Sequence, residues 1–306
     1  MSSTNITSLN VSTRPAALSV SMVVLDRTSV IVWFTVTLLI CIAGTLSSGC
    51  LITAFCVQKH MRRASTFLIG YLLCLDLLNT AIFMPMSFVV LLMSQLGRQF
   101  QADDVCEVSI FFLVMLNCTS NWAGAFVAVS RFVAIFIPHK YEQWMKRKSL
   151  VVMVAISCAF GLLVSVPPLR NQGGYFGRFY PLGNCAMGTK EGPLASMFVA
   201  IGSTIPTVIQ GIFYAALVVQ MAFSQRIRKS PVISTDAALT RTDNVQQRRR
   251  TVGRMLIVSY LWYLVCFIPV PVILTYYPAV FRIPTAFIWL KTVQLCGFAG
   301  TPVRKA

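Results

Sequence analysis

Four side chains with charge or strong hydrogen-bonding capacity stand inside long apolar runs: Arg131 in AFVAVSRFVAIF, Asp76 in LLCLDLL, Lys291 in IWLKTVQL and Asn117 in FFLVMLNCTS. In a hydrocarbon environment a charged side chain costs about 2.5–3.5 kcal/mol on insertion scales, so each must be paired, protonated, ion-bound or able to reach water. Asn117 has a milder demand, a hydrogen bond to a neighbouring helix or to a bound molecule. These residue types suit the binding and switching of charge. Covalent catalysis is not expected, because the two histidines, His60 and His139, fall in polar stretches and no nucleophile or metal-ligand cluster appears. No catalytic residue and no metal centre is assigned.

The elements that must position these groups follow from composition. The chain has 306 residues, 56% of them hydrophobic and 11% charged, which excludes an ordinary soluble domain. A bilayer core roughly 30 Å thick needs about 20 apolar residues of helix. Seven runs qualify: Val30–Val57, Phe67–Met93, Val105–Ile137, Leu150–Leu169, Leu194–Phe223, Met255–Tyr276 and Thr285–Pro302. The fold class expected is therefore an all-α integral membrane bundle of seven helices, referred to below as helices one to seven. It divides into an extracellular segment 1–29, a bundle 30–302 and a cytoplasmic tail 303–306. The polar start lacks the pattern of a cleaved signal peptide, so helix one is expected to act as a signal anchor.

Lys and Arg set the orientation. They gather after helices one (Lys59, Arg62, Arg63), three (Lys140, Lys146, Arg147, Lys148) and five (Arg226, Arg228, Lys229, Arg241, Arg248, Arg249, Arg250), which places those loops in the cytoplasm. The formal charge of +17 is concentrated there, so it reads as topology and attraction to anionic membrane lipids; a nucleic-acid partner is not expected. The N-terminus is then outside, with glycosylation sequons at Asn5 and Asn10. A multi-pass plasma-membrane protein is expected. Of ten cysteines, eight lie within the apolar runs, while Cys106 starts helix three on the outer side and Cys185 lies in the outer loop before helix five. That compartment is oxidising, and a Cys106–Cys185 disulfide is expected.

Seven helices, an outer N-terminus, the outer disulfide and an arginine 25 residues after Cys106, about seven turns further in, together resemble a rhodopsin-like (class A) G-protein-coupled receptor. The resemblance spans Val30 to Pro302. It implies that Arg131, after Ser130, is an activation switch, that Pro206 and Tyr214 are the proline of helix five and the tyrosine that receives the arginine, and that Phe267 and Pro269 in CFIPVP form the helix-six hinge. Pro269 removes a backbone donor and so marks a place where that helix bends. Pro302 in GTPVRKA stands at the helix-seven proline. Asp76 and Ser120 are implied as a sodium site, the one cofactor considered. The implied ligand pocket is Leu113, Val114, Asn117, Phe198, Phe267, Leu274 and Lys291.

The sequence departs from the family pattern at several of these places. Ser48 stands where asparagine is usual, Ser130-Arg131-Phe132 replaces Asp-Arg-Tyr, Phe267 replaces tryptophan, Thr301 replaces asparagine, and helix four has no tryptophan. The sequence given ends four residues after Pro302, with Lys305 at the position of the family's tyrosine and no eighth helix following. Thr301 and Gly297 also offer fewer oxygens to a sodium ion than the family's asparagines.

The ligand is read by its chemistry. Leu113 occupies the position of the acid that pairs with ligand ammonium groups in amine receptors, so a biogenic amine is not expected. Lys291 has three readings: a ligand carboxylate, a partner in Glu107, or outer headgroups. The short stretches PPL (Pro167–Leu169) and GRF (Gly177–Phe179) before Cys185 are similar to melatonin-like and related invertebrate orphan receptors. A retinal-binding opsin is not expected, because its lysine falls seven residues before the helix-seven proline, at Leu295 here, and Lys291 lies eleven before. The function expected is a cell-surface receptor signalling through heterotrimeric G protein. The alternatives are a receptor-like decoy that does not couple and a seven-helix transporter, whose repeats and broken midplane helices are not seen.

Overall fold

The computed structural model describes residues 27–57, 64–95, 103–137, 141, 146–179, 184–189, 193–228, 258, 260–270, 273 and 283–303. Helix one is Arg27–Val57, helix three Asp103–Phe136, helix four Arg147–Leu169 and helix seven Pro284–Val303. Helix two runs Ala64–Leu78, passes through a π turn at Asn79–Phe83 and continues as Met84–Gln95; helix five runs Pro193–Val199, π turn Ala200–Thr204, then Ile205–Arg228. Helix six is helical over 260–267, bends at Ile268 and resumes at 269–270, next to the expected Pro269 hinge. The outer ends of the sequence-derived helix-six span fall outside the described residues, as do Asn5, Asn10, Leu274, Arg249 and Lys305.

The two π turns are a departure from the uniform α-helices expected, and both have the same cause. Met84 N–H reaches back five residues to Asn79 O, and Ile205 N–H reaches back five to Ala200 O. The residue that follows each is a proline, Pro85 and Pro206, which has no N–H and whose ring crowds the preceding turn. A widened turn relieves that crowding and leaves carbonyls free for other partners.

Apolar and polar residues are distributed as a bilayer demands. Leu46, Val151, Ile212 and Val265 point outward and are exposed, while Asp76, Asn79, Asn121 and Gln210 are buried inside. Helix three is the axis of the bundle: 50% of its spanning stretch is buried, against 28–33% in helices one, two, four and five. Close packing against helix four depends on Gly161, where an added Cβ would meet Met115 O at 2.9 Å and also Thr119 Oγ1. Small residues let membrane helices approach in this way. Gly161→Ala is expected to lower the melting temperature of the detergent-solubilised protein by several degrees, equivalent to about 1–3 kcal/mol of overpacking. An unchanged melting temperature would mean that helix four moves aside freely.

Helix one is tied to helix seven by Trp33, whose buried Nε1 donates to Thr292 Oγ1 at 2.9 Å and to Ile288 O at 3.2 Å. Between helices two and four, where a family tryptophan is missing, Tyr71 OH reaches Ser157 Oγ at 3.4 Å and Cys158 Sγ at 3.2 Å.

The chain leaves helix four through a turn in which Asn171 (φ 60) and Gly173 (φ 70) take left-handed backbone. Asn tolerates that region and Gly favours it. A Cβ at Gly173 would also meet Leu194 Cδ2 at 2.7 Å. The turn delivers an antiparallel hairpin, β1 (Gly174–Phe179) and β2 (Asn184–Thr189), with Phe176 opposite Met187 and Arg178 opposite Cys185.

Candidate functional site

The outer half of the bundle packs beneath this hairpin. Cys106 and Cys185 are disulfide-bonded, with Cα atoms 5.5 Å apart, as expected from the sequence. The bond holds β2 against the outer end of helix three, where Cys185 and Phe176 pack with Val90, Cys106 and Ile110. Phe176 also meets Phe111 edge-on at 6.3 Å. Val114 touches this hairpin cluster and also the cluster of Cys118, Val164 and Phe198, so the hairpin, helix three and helix five share one wall.

Leu113 and Phe267 pack against the cluster that holds Phe88 and Ile288, which brings helices two, three, six and seven together. The implied pocket positions thus fall in two apolar clusters, Leu113 and Phe267 with one and Val114 and Phe198 with the other. Asn117 lies one turn further in on helix three, and its Oδ1 is buried without a hydrogen-bond partner among the described residues. Lys291 is half-buried on helix seven, between Ile288 and Thr292. Leu274 lies outside the described residues.

Below the pocket, helices two and three are in register. Phe83 stacks on Phe112 at 5.2 Å, and further inward Leu75 packs with Leu116 and Ala123. That register sets Asp76 and Ser120 at the same depth, both buried, at 4% and 8% exposure. Ser120 Oγ, Ser48 Oγ and both amide atoms of Asn79 are buried without hydrogen-bond partners among the described residues. Buried polar atoms of this kind cost about 1–3 kcal/mol each unless a water or ion satisfies them.

The inner end holds the arginine. Arg131 is half-buried, and Tyr141 and Tyr214 lie within electrostatic reach of its guanidinium. Its Nε is buried and has no hydrogen-bond partner among the described residues. Ser130 does not engage it; the Ser130 hydroxyl donates to Val127 O at 2.8 Å within its own helix. Tyr214 is buried at 8% exposure and packs on Tyr260 of helix six, with ring centroids 4.9 Å apart. Phe132, at the place of the family's tyrosine, packs edge-on against Phe213 at 5.1 Å.

Sequence reasoning missed one group altogether. Asn121, Gln210, Thr207 and Tyr263 form hydrogen bonds that join helices three, five and six between the pocket and Arg131. The signal was available: Asn121 and Gln210 are strongly polar residues within apolar runs, the same criterion that singled out Asp76 and Asn117. Asn79 escaped for the same reason, overshadowed by Asp76 three residues before it.

Comparison with known proteins agrees with this geometry. A profile of the family "7 transmembrane receptor (rhodopsin family)" matches residues 47–297. Among curated proteins the chain is 26% identical over 196 residues to human "Olfactory receptor 9A4", covering 59% of this chain and 62% of that one. It is 25% identical over 191 residues to "5-hydroxytryptamine receptor 1A" of Xenopus laevis, covering 61% of this chain and 44% of the receptor. The chain thus spans less than two thirds of the length of these relatives. In fold it is similar to the crystal structure of squid rhodopsin, with a TM-score of 0.75 at 16% identity, covering 92% of this chain and 78% of that one. The family match covers most of the chain, including both disulfide cysteines, Asp76 and Arg131, and so the protein belongs to the rhodopsin family of seven-transmembrane receptors: a multi-pass plasma-membrane receptor and not an enzyme.

Proposed function

We propose that this receptor binds an extracellular ligand other than a biogenic amine among helices three, five, six and seven, and passes the change to a heterotrimeric G protein. The observation that supports this reading is the packing at the outer end of the bundle. Leu113 and Phe267 pack against one apolar cluster, Val114 and Phe198 belong to another, and Val114 also reaches the cluster of the disulfide-bonded hairpin. Leu113 presents no charge to an ammonium group, and the neighbouring walls are apolar and aromatic. Lys291 supplies the cation expected to meet an anionic ligand group. A ligand acts here by its differential affinity for the closed and open states.

Asp76 and Ser120 would hold a sodium ion, whose positive charge would offset the buried carboxylate. The remaining steps belong to the chain's own residues. Phe267 senses the pocket, helix six bends near Pro269, and Arg131 lies next to Tyr214 on the inner side.

The test is full-length receptor, verified at the cell surface, assayed against a panel of G-protein biosensors. The expected result is an expression-dependent signal with at least one G protein, lost in Arg131→Ala. A surface-expressed receptor that is silent across the panel would overturn coupling and leave the decoy reading.

A further inference from the structure

We infer that Tyr141 is a phosphorylation site for a cytoplasmic tyrosine kinase, and that its phosphate pairs with the Arg131 guanidinium and so supplies, by modification, the acid that position 130 lacks. The site rests on the structure and the sequence, and its effect on signalling rests on the receptor reading proposed above.

The sequence leaves a cytoplasmic kinase a single target. Of the 9 tyrosines in the chain, Tyr141 alone falls in an inner loop or in the stretch after Pro302. It is half-buried, so part of its surface is open to solvent. The stretch 132–150 holds Lys140, Lys146, Arg147 and Lys148 against a single acid, Glu142. A phosphate, with roughly −1.5 to −2 charges at pH 7, enters a cationic field there.

The end of helix three puts Tyr141 beside the arginine. Ile137 N–H donates to Val133 O at 2.9 Å and Tyr141 N–H to Ile137 O at 3.2 Å, so the hydrogen-bond ladder of the helix is carried on to Tyr141. The Tyr141 ring packs against the buried cluster of Leu68, Val127 and Leu150, where the inner ends of helices two, three and four meet. Val127 and Arg131 are four residues apart and share one face of helix three. The ring and the guanidinium therefore border the same corner of the bundle, and Tyr141 lies within electrostatic reach of Arg131. Apolar contacts hold the ring, while its oxygen, the atom a kinase modifies, is the part that carries charge.

Arg131 has donors to offer a phosphate. Its Nε is buried without a hydrogen-bond partner among the described residues, and the Ser130 hydroxyl is spent on Val127 O. A guanidinium presents its N–H groups as a fork that matches phosphate oxygens. Lys146, Arg147 and Lys148 are exposed at the start of helix four, whose first turn has no acid and whose cap residue, Lys146, makes no side-chain cap bond. The free N–H groups of that turn add to the attraction for an anion. In the transfer, the tyrosine oxygen bonds to the γ-phosphorus of ATP, the bridging bond between the β- and γ-phosphates breaks, the tyrosine proton passes to the kinase and ADP leaves. A phosphatase reverses the change by hydrolysis, so the restraint on Arg131 becomes switchable.

The experiment uses the full chain in lipid nanodiscs, incubated with ATP and a purified tyrosine-kinase domain of broad specificity, with phosphate counted by intact-mass spectrometry. Wild type is expected to take up a phosphate that Tyr141→Phe does not. No uptake by wild type, or equal uptake by Tyr141→Phe, would overturn the site. Phosphorus NMR then follows the second ionisation of the attached phosphate. Its midpoint is expected near pH 5 in place of about 6, and near 6 again in Arg131→Gln, with Arg131→Lys, which keeps the charge, in between. A midpoint near 6 in wild type, or a low one that persists in Arg131→Gln, would overturn the pairing. Neither readout needs a G protein. With a G protein that responds in the biosensor panel, the phosphorylated receptor is expected to drive nucleotide exchange about five-fold more slowly than the same receptor after phosphatase treatment. An equal or faster rate would overturn the restraint. A phosphate with the low, Arg131-dependent midpoint on a receptor that is silent in both forms would support the site and remove coupling alone.

Discussion

Replacing either Cys106 or Cys185 with serine is expected to remove most of the folded receptor from the cell surface, whereas Cys50→Ser and Cys74→Ser should leave its level near normal. The disulfide closes a separation of 79 residues, which on chain-entropy grounds contributes on the order of 4 kcal/mol. That is a large share of the roughly 5–15 kcal/mol that holds a typical protein folded. Both sulfurs are deeply buried, at 0% and 2% exposure, so a single substitution also places a hydroxyl and an unpaired thiol within an apolar cluster. The hairpin that the bond anchors carries Phe176 and Met187 into the pocket wall, and its loss would loosen the pocket mouth as well as the fold. Cys50 and Cys74 face outward and are exposed. Flow cytometry against an N-terminal epitope gives the comparison, and the double variant should be no worse than either single one. Equal losses at all four cysteines would show that thiol chemistry in general is being measured.

The bundle was legible in the sequence because the bilayer imposes a length on every span and a charge bias on every loop. Among the described residues, five helices are long and apolar enough to cross a membrane, and they correspond to the first five spans. The disulfide was legible because Cys106, at the outer start of helix three, and Cys185, in the outer loop, lie toward the oxidising side, while the other eight cysteines lie deeper within the apolar runs. What hydropathy could not show was the local form of helices two and five. Asn79–Phe83 and Ala200–Thr204 read as ordinary apolar helix, and their widening comes from the following proline and from partners on other helices. Long-range polar contacts were hidden for a similar reason. Nothing near Tyr263 in the chain signals that its hydroxyl meets Asn121, 142 residues away. Of the pocket positions taken from the family resemblance, Leu113 and Phe267 pack against one apolar cluster and Val114 and Phe198 belong to another. The hairpin's contribution, Phe176 and Met187, depends on a register that hydropathy does not encode.

The second large effect concerns Arg131. In the family pattern the preceding residue is an acid that restrains the arginine; here Ser130 spends its hydroxyl on Val127 O at 2.8 Å, and Arg131 Nε has no hydrogen-bond partner among the described residues. The inner restraint is therefore weak in the closed state. Ser130→Asp would place a carboxylate beside the guanidinium. A charge-assisted hydrogen bond contributes about 1.5–3 kcal/mol, reduced at a half-exposed site to about 1 kcal/mol. Ligand-independent signalling is then expected to fall about five-fold in Ser130→Asp. Arg249→Glu, at the helix-six position that faces Arg131 in the family pattern, is expected to lower it further. A wild type that is silent and is switched on by Ser130→Asp, measured by the G-protein biosensors at matched surface expression, would reverse the sign assigned to Ser130.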